Sequence, residues 1–279
     1  MRKISFVIPC YNSEKTLSNV VNEIKTTVQK RGQDNYEIIL VNDCSKDNVW
    51  DVIKKICNED KNVKGICFAK NFGQHSALMA GYNKSTGDIV VSLDDDGQTP
   101  AEEVYSLIDK LDEGYDVVYA SYEHKQHSVA RNVGTRLNNF MCEKLIGKPR
   151  ELMITSFFVA QKFVIDEIKK YNNSYAYIPG LVLRTTKNIS SVPVCHRERE
   201  IGKSGYSFLK LLALWMNGFT AFSVLPLRIS TIMGMGTAGI GFIFCIYILI
   251  NKIINPSVPL GWSSTIGVML LLGGMILFV

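Results

Sequence analysis

The chain has 279 residues, 47% of them hydrophobic and 20% charged, with a formal net charge of +5. That length holds one large domain plus an appendage, and the apolar share is ample for a sizeable core. So modest a charge suits anionic lipid headgroups rather than nucleic acid, and seven cysteines, an odd number with no CxxC pair or metal-ligand spacing, exclude a disulfide framework and fit a reducing compartment.

From the N-terminus, Ile4 to Ile8 is a short apolar run, followed by Leu17, Val20, Val21, Ile24 and Val28 at helical spacing. The alternation repeats. IILV (38 to 41) precedes Val49, Val52, Ile53 and Ile56 on one helix face, and KGICFA (64 to 69) precedes a helix from Gln74 to Lys84. DIVVSL (88 to 93) precedes Val104, Leu107, Ile108 and Leu111, and DVVYAS (116 to 121) closes the series. Strands of continuous hydrophobicity separated by amphipathic helices predict an α/β fold, a mostly parallel Rossmann-like sheet with helices on both faces. Ligands of such sheets bind beyond the carboxyl ends of the strands. Polar clusters follow the first four strands there: Tyr11 to Glu14, Asn42-Asp43, Lys70-Asn71 and Asp94-Asp95-Asp96.

The C-terminal part changes solvent. Every Asp and Glu lies at or before Glu200, and the last 79 residues carry only Lys203, Lys210, Arg228 and Lys252 as charges. Ile229 to Ile250 is uncharged over 22 residues, about 33 Å as a helix and enough for a hydrocarbon core of roughly 30 Å. Val258 to Val279 is a second such stretch, beyond a loop containing Pro256 and Pro259. The expected division is a catalytic domain over 1–203, an amphipathic juxtamembrane segment over 204–227, and spans over 228–252 and 258–279. Basic residues gather before the first span, so the positive-inside rule keeps the catalytic domain in the cytoplasm and makes the chain a multi-pass protein of the cell's inner membrane; no signal peptide is expected, the apolar stretch of MRKISFVIPCYN being too short. Glycines in both spans leave room for close packing and self-association into a homo-oligomer.

Three adjacent carboxylates repel one another, and ordinary turn chemistry explains an Asp-Asp-Gly as well as a site does. Delivery of four polar clusters to one rim favours a site. Hard oxygens of this kind suit Mg²⁺ or Mn²⁺ bound to a substrate phosphate, while the glycine-rich loop of a Walker or dinucleotide site is missing from IPCYNSEKTL.

VIPCYNSEKTL, VNDCSKDN, AKNFGQHSALMAGYNKSTGDIVVSLDDDGQTP and DVVYAS, in this order and spacing, resemble the family-two glycosyltransferases of the GT-A fold, and within them the polyprenyl-phosphate glycosyltransferases. The resemblance covers roughly residues 4 to 230. It implies that Pro9, Tyr11 and Asp43 line the nucleoside of a nucleotide-sugar donor, UDP-linked by preference, with Asn12, Glu14, Asn71 and Gln74 also on the donor side. Asp94 and Asp96 become the DxD pair that holds the metal with Gln98, leaving Asp95 as the variable middle residue. Arg199, Lys203, Ser204 and Tyr206 match a basic motif over the donor and acceptor phosphates, and Arg131 joins them as a phosphate contact. The sequence departs from the family pattern at Ser13 and Asn42, in MITSFFVAQKF around residue 155, and at Tyr122, where an Arg is common; no role is carried onto Met153, Ser156 or Phe158.

The reaction implied is an inverting transfer in which the phosphate of a polyprenyl phosphate attacks the anomeric carbon and displaces the nucleoside diphosphate, with Asp94, Asp96 and Arg199 as catalytic groups. A phosphate monoester with a second pKa of about 6 is already ionised at neutral pH, so no general base is needed. Ser204 to Leu225, rich in Phe, Leu and Trp, reads as a helix lying in the bilayer interface. Three alternatives stay open. A polysaccharide synthase would use a sugar hydroxyl and show Gln-x-x-Arg-Trp, a sugar nucleotidyltransferase would carry a glycine-rich first loop, and a membrane scaffold would not need the DxD residues.

Overall fold

A computed structural model describes residues 2–122, 152–173, 176–195, 197, 225–257 and 261–278. The chain divides into two compact units, Met1–Trp215 and Met216–Val279.

In the first unit the strands are β1 (Ile4–Cys10), β2 (Tyr36–Asn42), β3 (Val63–Cys67), β4 (Ile89–Ser92), β5 (Val117–Ser121), β6 (Phe158–Gln161) and β7 (Ile189–Pro193). They form one sheet in the order β3-β2-β1-β4-β6-β5-β7. The helices are α1 (Leu17–Lys30), α2 (Val49–Glu59), α3 (Gln74–Lys84), α4 (Val104–Asp112), α5 (Lys162–Lys169) and α6 (Ile178–Thr185). The expected strand and helix positions through residue 121 are all occupied. β1 runs two residues past Ile8, through Pro9, which stays paired with Val41 on β2. The carbonyl of Val7 accepts the Leu93 N–H at 3.2 Å, so Pro9, two residues on, turns its missing N–H to the side where β4 has already ended.

Burial follows the sequence pattern. Leu17, Val20, Val21, Ile24 and Val28 of α1 are all buried, as are Val104, Leu107, Ile108 and Leu111 of α4. Each such side chain contributes roughly 1.5–3 kcal/mol of transfer free energy. α3 comes close to the sheet at Gly81, where an added Cβ would collide with the Val7 side chain and sit 3.4 Å from Val41.

One strand departs from the parallel expectation. β6 lies between β4 and β5 and is antiparallel to both, while the other pairs are parallel. The chain therefore leaves β5 at Ser121 and re-enters β6 at Phe158 on the same rim of the sheet, the carboxyl rim.

At the opposite rim, where the parallel strands begin, Glu37 on β2 is only 2% exposed. Its carboxylate accepts hydrogen bonds from Ser5 Oγ at 2.6 Å and the Thr86 N–H at 2.7 Å, and it pairs with Lys64 Nζ at 2.7 Å and Lys3 Nζ at 3.4 Å. Burial alone would raise its pKa, but Lys64, Ser5 and Thr86 outweigh that and hold the carboxyl at about 2.

The second unit contains α7 (Leu225–Ile254) and α8 (Trp262–Phe278). Within it, Leu227–Ile254 is long and apolar enough to cross a membrane. α8 has 17 residues, about 26 Å long, and is shorter than the stretch expected over 258–279. Most large apolar side chains of α7 are exposed, with Ile253 at 72%. The Thr231 and Thr237 hydroxyls donate to the carbonyls of Leu227 (2.9 Å) and Met233 (2.5 Å), which satisfies them inside the helix. α7 and α8 approach through some of the predicted glycines: a Cβ at Gly241 would lie 2.7 Å from the Leu271 nitrogen, one at Gly274 would overlap Ala238, and one at Gly267 would meet Cys245 Sγ at 2.8 Å. Gly236, Gly239 and Gly273 have no atom within 4 Å of such a Cβ and take no part in that contact. Two apolar C-terminal helices, one of crossing length, point to membrane association.

Candidate active site

In the sheet order, β1 continues to β2 and β3 on one side while β4 lies on the other, so the chain's direction of winding reverses between β1 and β4. A ligand crevice opens at such a point, beyond the carboxyl ends of the strands. The loops after β1 and β4 face one another there, and they carry Tyr11 to Glu14 and Asp94 to Gln98.

The three adjacent carboxylates part company in space. Asp94 turns to α3 and to the entry of β6: its Oδ1 accepts from Gln74 Nε2 at 3.0 Å and its Oδ2 accepts from Ser156 Oγ. Asp95 turns to the first loop, where its Oδ2 accepts the Tyr11 N–H at 2.9 Å and its backbone carbonyl accepts the Thr16 hydroxyl at 2.7 Å. Asp96 accepts the N–H of Gln98 at 3.1 Å, closing a local turn. This divergence is how the loop holds three like charges in succession. Withdrawal from water, with the charge of Asp96 adding to it, raises the Asp95 carboxyl to about 6.

Asp94, Asp96 and Gln98 fit a divalent cation by donor chemistry, since two carboxylates and an amide carbonyl are hard oxygen ligands. Among the described residues no three His, Cys, Asp or Glu side chains form a metal-holding group, so a cation here would take one of its protein ligands from Gln98 and others from substrate or water. Tyr122, unassigned in sequence, closes this side: its hydroxyl lies 3.1 Å from Thr99 Oγ1, and burial together with the charges of Asp94 and Asp96 pushes its phenol up.

Of the expected donor residues Tyr11, Asn12 and Asn71 are exposed, while Pro9 and Asp43 are buried. Tyr11 is 47% exposed at the crevice. Pro9 is buried in the strand. Asp43 is 3% exposed, and its two oxygens accept the N–H groups of Phe72 (2.7 Å) and Gly73 (2.8 Å), which fixes the loop before α3; burial raises its carboxyl. Asn71 Nδ2 donates to the Asp43 carbonyl at 3.1 Å. Asn12 sits in the left-handed region at φ 56° and accepts the Lys46 N–H at 2.9 Å, while Cys44 is left-handed at φ 52°. Two such non-glycine residues at the ends of neighbouring strands store strain at this rim. Glu14 turns away from the carboxylate trio and accepts the Asn48 N–H at 3.2 Å, at the start of α2.

Arg131, Arg199, Lys203, Ser204 and Tyr206, and the segment expected to lie in the interface, fall outside the described residues. Arg197 is described, and its N–H donates to the Gln98 carbonyl at 2.7 Å while its guanidinium pairs with Glu23 at 3.0 Å. The chain two residues before Arg199 is thereby fastened to the loop of the DxD pair. A cleft of about 420 Å³ between α5 and α6, lined by Glu167, Lys170, Tyr171 and Arg184, contains none of these groups.

The family model for glycosyl transferase family 2 matches residues 5–169. Over 280 residues the chain is 32% identical to an undecaprenyl-phosphate 4-deoxy-4-formamido-L-arabinose transferase of Proteus mirabilis, covering 100% of this chain and 84% of that one. The Yersinia pestis transferase of the same name is 32% identical over 255 residues, 91% of this chain and 78% of that one. Among solved structures, the glucosyl-3-phosphoglycerate synthase of Mycobacterium tuberculosis aligns with a TM-score of 0.59 at 18% identity, over 79% of this chain and 81% of that one. Its complex with Mn²⁺ and UDP-glucose aligns at 0.55 and 18% identity, over 77% and 76%. These structural matches identify the fold as GT-A-like.

Proposed function

Because the chain belongs to glycosyl transferase family 2, we propose that it transfers a sugar from a nucleotide-sugar donor to undecaprenyl phosphate at the cytoplasmic face of a cell membrane, with inversion at the anomeric carbon. The observation that carries this reading is the crevice between β1 and β4, where exposed Tyr11 faces the loop of Asp94, Asp96 and Gln98 in a chain that ends in apolar helices.

In this reading Tyr11 offers its ring to the nucleoside, and Asp43, with both oxygens committed to the Phe72 and Gly73 N–H groups, shapes the wall beside it. Asp94, Asp96 and Gln98 hold Mg²⁺ or Mn²⁺, as the Mn²⁺ complex of the distant structural neighbour supports. The cation when bound supplies positive charge against the departing diphosphate. Gln74 and Ser156 keep Asp94 aimed. Arg199 and Lys203 reduce repulsion between donor and acceptor phosphates, a role shared with Arg131, Ser204 and Tyr206. The acceptor is ionised on arrival and asks for no base. Its isoprenoid tail, at about 0.8 kcal/mol per buried CH₂, stays in the bilayer, which explains a catalytic unit tethered by α7 and α8.

The test uses membranes containing the full chain, undecaprenyl phosphate, and radiolabelled donors: UDP-glucose, UDP-N-acetylglucosamine, GDP-mannose and a UDP-linked 4-deoxy-4-formamido-L-arabinose. Label entering the lipid extract with Mn²⁺ or Mg²⁺ and absent with EDTA is the expected result. Label in a long polymer, or none in lipid from any donor, rejects the reading.

A further inference from the structure

Asp95 has no part in the chemistry just described, yet its carboxylate is withdrawn from water and tied to the first loop. Its side chain accepts the Tyr11 N–H at 2.9 Å and its carbonyl accepts the Thr16 hydroxyl at 2.7 Å. These two bonds join the loop after β4 to the loop after β1 across residues 84 and 79 apart in sequence. Tyr11 is followed by left-handed Asn12, whose own N–H donates to Ser45 Oγ at 3.1 Å. Without an acceptor for the Tyr11 N–H, the tie between the two loops is lost next to a strained residue, and the loop has reason to relax.

We infer that Asp95 is a positioning residue for the donor: it fixes the separation between Tyr11, which meets the nucleoside, and the loop of Asp94, Asp96 and Gln98, which meets the diphosphate. This rests on the donor site proposed above. A nucleoside diphosphate engages both loops at once, so its affinity depends on their being held at the matching distance beforehand. The bound cation alone touches one loop and does not need the tie. Asn presents an amide oxygen to the Tyr11 N–H in place of the carboxylate oxygen and can do this work, whereas Ala cannot.

The experiment measures binding of UDP and of GDP by calorimetry, in the presence of Mn²⁺, to the full chain in lipid nanodiscs, and separately Mn²⁺ binding without nucleotide. Asp95→Ala is expected to weaken the nucleoside diphosphate that binds wild type by about tenfold, the effect of losing one hydrogen bond to a charged group. Mn²⁺ affinity without nucleotide, kcat at saturating donor and KM for undecaprenyl phosphate stay at wild-type values. Asp95→Asn returns nucleotide affinity to within about twofold. Thr16→Val, which cuts only the second tie, gives about threefold and serves as the measure should Asp95→Ala fail to fold. Unchanged nucleotide affinity in Asp95→Ala or, in its place, Thr16→Val overturns the inference and leaves the proposed reaction standing. So does an Asn variant no better than Ala, or equal losses in kcat and acceptor KM. Wild type binding neither nucleotide overturns the donor-site reading and the inference with it.

Discussion

The two rims of this sheet treat buried carboxylates in opposite ways. At the amino rim Glu37 is surrounded by Lys64, Lys3, Ser5 and the Thr86 N–H, and its pKa falls to about 2. At the carboxyl rim Asp95 accepts the Tyr11 N–H, and burial raises its pKa to about 6. Asp43, on the same rim, is also raised. The amino rim satisfies its charge and gains stability from doing so. The carboxyl rim holds Asp43 and Asp95 through backbone N–H groups, and burial outweighs those bonds.

The sharpest way to break that contrast is Asp96→Ala. Removal of a carboxylate that serves the reaction and not the fold is expected to lower lipid labelling about 10³-fold while the thermal midpoint of the full chain in detergent, read by circular dichroism, moves little. A collapse of the midpoint instead would make the carboxyl rim as structural as the other. Glu37→Gln is the converse, with a cost of roughly 2–3 kcal/mol in stability and unchanged transfer per folded molecule. It also carries a pH signature. Because the folded pKa lies below the ordinary 4.5, the stabilisation from Glu37 is fully present above about 4.5 and is lost as pH falls toward about 2. Thermal midpoints taken from pH 6 down to pH 2 should fall more steeply for wild type than for the variant. The smallest effect is expected from Ser156→Ala, which frees one oxygen of Asp94: about a fivefold fall in kcat with little change in stability, read in the same labelling assay.

Sequence made much of this legible and left the rest in tertiary contacts. Strands β1 to β5 and their helices announce themselves by continuous apolar runs and 3.6-residue spacing, since a sheet covered on both faces leaves no polar side to interrupt the pattern. β6, with four residues reading FVAQ, and β7, reading ISSVP, are too short or too polar to carry a period, and the antiparallel sense of β6 is set by its neighbours. In the site, Gln98 comes only from the family resemblance, whereas the acidic run Asp94 to Asp96 stands out by its place after a strand. The turning of Asp95 toward Tyr11 does not, because a loop side chain takes its direction from a partner far along the chain. Ser156 and Tyr122 had no signal in the sequence beyond a departure from the family pattern. Glu14, expected on the donor side, accepts the Asn48 N–H at the start of α2 and donates its own N–H to Asp47, contacts that only the folded positions reveal.

The insertion of an antiparallel β6 between β4 and β5 has a geometric corollary. β5 ends and β6 begins on one edge of the sheet, so the residues just ahead of β6 serve the buried layer and the crevice together: Phe157 is 1% exposed, and its neighbour Ser156 donates to Asp94. One reversal of strand direction thereby brings a packing ring and a carboxylate partner to the same spot from more than sixty residues further along the chain.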